Sequence, residues 1–280
     1  MKLLILRSIK INKALWLTND CFISDFVIFG ILATQYSEIR HMQHVKRIAL
    51  WSGPRNVSTA LMYAFAQRAD AKVIDEPLFG YFLKHTGLER PSRAEVLSTM
   101  ETDAAVIIQK ELMGSCGQPV LFMKHMANHL TGLDWSFIHQ FTNVILTRDP
   151  EDMLPSYAQH VKTPTLLDTA YGIQTELLDY LIAHQLQPIV LDSKEILSNP
   201  EVTLKRFCEQ IEIPFDDKML TWEKGPRKED GIWAKYWYNN VHNSTGFAPY
   251  KKKITPFPEH LKPILAECKP HYDRLISFTI

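Results

Sequence analysis

The sequence predicts an α/β fold of three layers, with a central, mostly parallel sheet flanked by helices. Three observations carry this expectation. Apolar runs of strand length recur at residues 45–51, 72–77, 119–123, 143–148 and 188–191, and stretches with helical spacing alternate with them. Two of these runs, at 45–51 and 143–148, pass through a tight turn straight into a helix. The 280 residues, 46% of them hydrophobic, can bury one sizeable core, so a single elaborated domain is expected over residues 45–280. Residues 1–44 are set apart as an N-terminal extension.

The first strand-turn-helix unit is the most informative. Its turn reads Ser52, Gly53, Pro54, Arg55, Asn56, Val57, and its helix is expected over residues 58–68. A helix N-terminus offers unpaired N–H groups and the positive end of the helix dipole; Arg55, Ser58 and Thr59 add a fixed charge and two hydroxyls. Such a turn suits phosphate or sulfate. It departs from the nucleoside-triphosphate loop G-x-x-x-x-G-K-[ST], because counting from Gly53 puts Ser58 and Thr59 where the second Gly and the Lys would stand.

The run at 72–77 delivers Asp75 and Glu76 to a strand end, where open α/β sheets border their ligand crevice. The run at 119–123 leads into Lys124 and His125, with His129 about one helical turn on. That His spacing would suit a metal, but no third ligand accompanies it and no metal site is expected. The run at 143–148 ends on Arg148, after which Asp149 suits a helix cap and Pro150 a first turn. Ser156, about two turns further, can face the same side as the helix start, while Pro155 predicts a kink or a short helix. Downstream follow a helix over 166–184, a strand at 188–191 and a helix with Pro200 in its first turn, with Leu204, Phe207, Cys208 and Ile211 facing the core. Residues 225–246, rich in Gly, aromatic and polar side chains, suit a functional loop; the lysines at 251–253 suit a solvated turn. The last segment, 258–275, predicts a packing helix broken near Pro270.

On these residues the chain resembles the sulfotransferases that use 3′-phosphoadenosine 5′-phosphosulfate (PAPS), which have a P-loop-type α/β fold. Pro54 to Thr59 resembles their P-[KR]-S-G-[ST]-T loop, departing from it at Asn56 and Val57. A strand ending on Arg148, then Pro150, then Ser156 resembles their second unit, and the similarity runs from about Lys46 to the chain end. The resemblance implies direct, in-line transfer of a sulfuryl group from PAPS to a hydroxyl or amine, without a metal. Arg55, Asn56, Val57, Ser58 and Thr59 would hold the 5′ end of the donor, and Arg148 and Ser156 its 3′-phosphate. Arg227 and Lys228 would close over that phosphate, although Glu229 and Asp230 break the family's R-K-G order. Glu76 resembles the general base of carbohydrate-type members, and Arg55 would neutralise charge on the departing phosphate oxygen. His125 matches the catalytic His of cytosolic members only by a shift of register, so the base is Glu76 or His125.

Two further readings stand beside this one: a nucleotide-dependent kinase with a degenerate P-loop, and an inactive nucleotide-binding module of the same fold. The acceptor would be a small molecule or a carbohydrate, and nothing in the sequence specifies an oligomeric state. With 31 Lys and Arg against 31 Asp and Glu there is no broad basic field, so nucleic acid is not an expected partner. Cys21, Cys116, Cys208 and Cys268 lack C-x-x-C spacing, which argues against a disulfide framework and for a reducing cytoplasm. The apolar stretch at 22–33 is interrupted by Ser24 and Asp25 and falls short of the roughly 20 residues that span a bilayer, so no membrane span is expected. Met42 offers a start just ahead of the first strand.

Overall fold

The computed structural model describes residues 45–252 and 255–280. The N-terminal extension, its interrupted apolar stretch and the start at Met42 lie outside the described residues. Five strands are described: β1 (Lys46–Ser52), β2 (Ala71–Asp75), β3 (Val120–Met126), β4 (Thr142–Thr147) and β5 (Ile189–Asp192). They form one all-parallel sheet in the order β2-β3-β1-β4-β5. Their near-continuous apolar content follows from burial on both faces. Alternate residues divide between two cores. Trp51, Leu121, Met123, Ile145 and Val190 face one, while Ile48, Leu50, Phe122, Val144 and Leu191 face the other.

The described α-helices are α1 (Ser58–Phe65), α2 (Phe79–Thr86), α3 (Arg93–Thr99), α4 (Ala104–Ile107), α5 (Pro150–Tyr157), α6 (Leu166–Thr169), α7 (Tyr171–Ala183), α8 (Ser193–Ser198), α9 (Pro200–Gln210), α10 (Ala234–Trp237), α11 (Asn239–His242) and α12 (Lys262–Ile276). On one face α7 and α12 supply Leu177, Leu181, Ile264 and Leu275; on the other α1 and α9 supply Leu61, Phe65, Leu204 and Phe207. Phe65 stacks on Phe122 at 4.0 Å, fixing α1 against β3. No described helix is long and apolar enough to cross a membrane.

Asp149 caps α5 by accepting from the Glu151 N–H, Pro150 opens that helix, and Pro155 sits in its short last turn. Three boundaries differ from expectation. The helix expected over 58–68 ends at Phe65. The one expected over 166–184 splits at Ala170, whose φ of 65° is left-handed and turns the chain between α6 and α7. The last helix runs unbroken through Pro270: one N–H is lost, but Ile264, Cys268, Tyr272 and Leu275 bury its inner face on both sides of the proline.

The strand order carries the functional consequence. β1 lies between β3 and β4, and the chain leaves it toward β2 on one side and reaches β4 and β5 on the other. Connections that diverge from a central strand open a crevice beyond the strand C-termini.

Candidate active site

A cleft of about 470 Å³ opens at that place. Its floor is the turn after β1. Gly53 is required there, since a Cβ would stand 3.0 Å from the Thr169 carbonyl and 2.9 Å from Asn56 Nδ2. Asn56, 1% exposed, donates to the Leu146 carbonyl at 3.0 Å and accepts from Ser193 Oγ at 2.8 Å through its own carbonyl, so it pins the turn to β4 and α8. The turn carries left-handed backbone at Arg55 (φ 60°) and at Val57 (φ 58°), the latter costly for a β-branched residue. Val57 stands where the resembled loop has Gly, the residue that takes this conformation freely. Ser58 and Thr59 then start α1 along the cleft wall.

Arg55 and Arg148 both reach this floor. Arg55 donates through Nε to Ser156 Oγ at 3.1 Å and through Nη1 to the Trp237 carbonyl at 3.2 Å. Arg148 donates to the Arg55 carbonyl at 2.7 Å. Both guanidiniums are thus held by neutral oxygens. Burial, and then the charge of Arg148, lower the proton affinity of Arg55. Two adjacent cations with neutral partners form a site for an anion.

The other end is built on β2 and β3. Consecutive strand residues normally point to opposite faces. Glu76 takes a left-handed φ of 45°, its N–H bonding the Lys124 carbonyl at 2.7 Å, and so Asp75 and Glu76 converge on one ammonium. Lys124 Nζ donates to Asp75 Oδ1 at 2.8 Å, to Glu76 Oε1 at 2.5 Å and to the Tyr238 hydroxyl at 2.6 Å. Burial pushes the Glu76 carboxyl above its usual range, with Lys124 opposing and Asp75 assisting. Burial also works against the Lys124 charge, but the two carboxylates outweigh it and hold that proton firmly. Glu76 and Lys124 line the cleft, and His129 closes its corner with Nε2 3.9 Å from Glu76 Oε2.

The structure therefore brings Arg55, Asn56, Val57, Ser58, Thr59, Glu76, Arg148 and Ser156 to one cavity. Three expected residues are not there. His125 is fully buried on the opposite side of β3 from Lys124, stacked on Trp51 at 4.3 Å, and neither ring nitrogen has a partner among the described residues. Burial and the neighbouring Lys124 charge pull its pKa down to about 3, so it is a neutral core side chain and not a base in the cleft. Strand alternation is the reason: adjacent residues cannot both face the cleft without the kind of backbone turn seen at Glu76. Arg227 packs over the Tyr63 ring and pairs with Glu229, and Lys228 is 90% exposed at its side chain. Both belong to a separate shallow hollow over residues 223–229. Among the described residues, Lys251, in the turn expected to be solvated, reaches the cleft late in the chain beside Tyr250.

Tyr238, Trp233 and Trp237 also line the cavity, and Tyr238 in particular carries no local sequence signal. His129 lies in a 3-10 turn (Ala127–Leu130), stacked on Phe79 at 5.2 Å, and burial keeps it neutral. No cluster of three or more His, Cys, Asp or Glu side chains that could hold a metal occurs among the described residues.

Comparison with known proteins adds three findings. The sulfotransferase-domain family matches residues 46–277. Two Arabidopsis thaliana proteins named branched-chain-amino-acid aminotransferase-like proteins 1 and 2 are 40% identical over 228 residues and 38% identical over 229. Each match covers 81% of this chain, and the chain spans about 41% of the length of those relatives. Among solved structures, the sulfotransferase domain from the curacin biosynthetic pathway is similar at 14% identity and a TM-score of 0.49, covering 80% of this chain and 97% of that one. A sulfotransferase from Alicyclobacillus acidocaldarius gives 11% and 0.49, covering 83% and 95%.

Proposed function

The chain belongs to the sulfotransferase-domain family, and from that premise we propose that it transfers a sulfuryl group from PAPS directly to the hydroxyl of a small-molecule acceptor. One observation carries the reading. A single cleft joins two guanidiniums that hydrogen-bond, among the described residues, to neutral oxygens with a buried carboxylate of raised proton affinity. The residues fit a nucleotide with anionic groups at both ends: Arg55, Ser58 and Thr59 at the start of α1 for the 5′ end, Arg148, Ser156 and Lys251 for the 3′-phosphate. Bound PAPS supplies an activated sulfuryl group on a phosphate leaving group. Arg55 takes up charge on the leaving oxygen without reorganising, and Glu76 receives the proton of the acceptor hydroxyl.

The Glu76 end also bears on the acceptor. Around it the cleft is lined by Phe79 and Phe82, both packed on His129, and by Met126 and Trp233. Most polar groups among them are already committed: Arg90 pairs with Asp168, Asn128 donates to the Leu167 carbonyl, and Lys124 uses all three N–H groups, which leaves Asn128 Oδ1 and His129 Nδ1 without a partner among the described residues. A sugar would bring several hydroxyls to a wall with few partners to offer, each unmatched one costing about 1–3 kcal/mol. A phenol or an alcohol with an apolar body is favoured over a carbohydrate.

Calorimetric titration with 3′-phosphoadenosine 5′-phosphate, adenosine 5′-phosphate and ATP with magnesium tests the donor. Binding that requires the 3′-phosphate is expected; preference for magnesium ATP would move the protein to the kinase reading. Glu76→Gln should leave that binding unchanged and lower transfer to a phenol by about 10²-fold or more. Transfer at the parent rate would remove Glu76 as the base, and nucleotide binding without transfer to any acceptor would favour an inactive module.

A further inference from the structure

The two neighbouring carboxylates at the end of β2 are not equivalent. Asp75 accepts from Lys124 Nζ at 2.8 Å, from the Tyr238 hydroxyl at 2.8 and 2.9 Å, and from the Gly231 N–H at 2.9 Å. Among the described residues the Glu76 side chain accepts from Lys124 alone, through Oε1, while Oε2 has His129 at 3.9 Å, and Glu76 lines the cleft. The proton positions follow from donor inventory. An ammonium and an indole N–H can only donate, and the Tyr238 hydroxyl receives both Lys124 and Trp233 Nε1, the latter at 3.1 Å. Its one hydrogen is therefore given to Asp75. The Asp75 side chain is 1% exposed and fully engaged, which fixes it as a carboxylate.

We infer that Asp75, clamped by Tyr238, is the standing counter-ion of Lys124 and a positioning residue that leaves Glu76 free to act as the base. The inference rests on the reading of Glu76 given above. A single ammonium faces two carboxylates, and His129, neutral, adds no second charge. Because Asp75 shares the Lys124 charge, Glu76 is not locked as an inert ion pair. The groups that face Glu76 are Lys124 from β3, Asp75 from β2, His129 from the 3-10 turn and the Tyr238 hydroxyl after α10; Arg55 and Arg90 lie along the same cleft. Of the close groups, Asp75 and Tyr238 can be altered without removing the cation, although each is one of its hydrogen-bond acceptors.

Infrared difference spectroscopy across a pH titration of the full chain reads the Glu76 proton with neither donor nor acceptor present, and Glu76→Gln assigns its carboxylic-acid band. In Asp75→Asn the neighbouring negative charge is gone and Glu76 is the one carboxylate left facing Lys124 among the described residues. Both changes favour the ionised form, so the Glu76 midpoint should fall, by about tenfold or more in proton affinity. Tyr238→Phe keeps the ring packing but strips a donor from Asp75 and an acceptor from Lys124; the freed N–H turns to Asp75, whose less-screened charge bears harder on Glu76, and the midpoint should rise. The acid limb of the kcat/KM profile should move in the same two directions. Shifts of opposite sign support the counter-ion role; an unmoved midpoint in both variants, or shifts of one sign, overturns it. If Asp75→Asn does not fold, the direction seen in Tyr238→Phe decides alone. Transfer retained by Glu76→Gln would end the base reading, whereas the infrared midpoints test Asp75 whether or not transfer occurs.

Discussion

At one end of the cleft Arg55 and Arg148 hold their charges against Ser156 Oγ and the carbonyls of Trp237 and Arg55; at the other, Lys124 spends every N–H on Asp75, Glu76 and Tyr238. Among the described residues the first end holds its charge on neutral oxygens, and the second has its counter-ions built in. Unbalanced positive charge is tolerated where an incoming anion will balance it, and it lowers the stability of the free protein meanwhile. A closed buried network does the opposite: it resists exchange with ligand and fixes proton positions instead. The difference separates the part of the cleft suited to holding an anion from the part suited to moving a proton.

The sharpest way to break this contrast is Lys124→Met. It leaves Asp75 and Glu76 buried beside each other without a cation, and should cost about 3–5 kcal/mol of stability at neutral pH, read by calorimetric unfolding. Part of that loss should return as the pH falls and the carboxylates take up protons; an unchanged melting temperature would mean the network has no structural weight. Arg148→Ala probes the open end. Unfolding stability should change by less than about 0.5 kcal/mol, whereas affinity for a nucleotide carrying a 3′-phosphate should fall by about 1.5–3 kcal/mol, which is a tenfold to hundredfold effect. Equal losses for nucleotides with and without that phosphate would detach Arg148 from it. The smallest effect is expected at Val57→Gly, which relieves a left-handed valine at a cost of about 1–2 kcal/mol while adding chain entropy to the unfolded state. Stability should rise by about 0.5 kcal/mol, and a fall would show that the Val57 side chain holds the turn more than its backbone strains it.

What could be read from the sequence was what is local. The five strands are apolar runs, and Asp149, Pro150 and Ser156 follow Arg148 within a single strand-turn-helix unit, so their spacing alone places them. The alternation that separates Lys124 from His125 was also present, since His125 pairs in register with Trp51 and shares its buried face, but a catalytic His is a louder signal than a core one. Lys251 and Arg227 could not be told apart by composition. Both are basic residues in irregular segments, and only the path of the chain on either side of α10 and α11 brings Lys251 to the cleft and leaves Arg227 over Tyr63. Pro270 misled because its disruptive effect is local while the packing that overrides it comes from the core.

The links of the Lys124 network differ greatly in their reach along the chain. Glu76 lies 48 positions from Lys124, Tyr238 lies 114 positions from it, and Tyr238 and Asp75 are 163 apart. Closing loops of that length costs entropy that a contact repays only once its partner is in place. No contiguous segment can assemble the network by itself, and its last member belongs to chain made after all five strands. A polypeptide folded only as far as β5 would have its whole sheet and the 53–57 turn, yet Asp75 would lack its hydroxyl and the Lys124 charge would be shared differently between the two carboxylates. Completion of the chain is thereby written into the chemistry at the far end of the cleft.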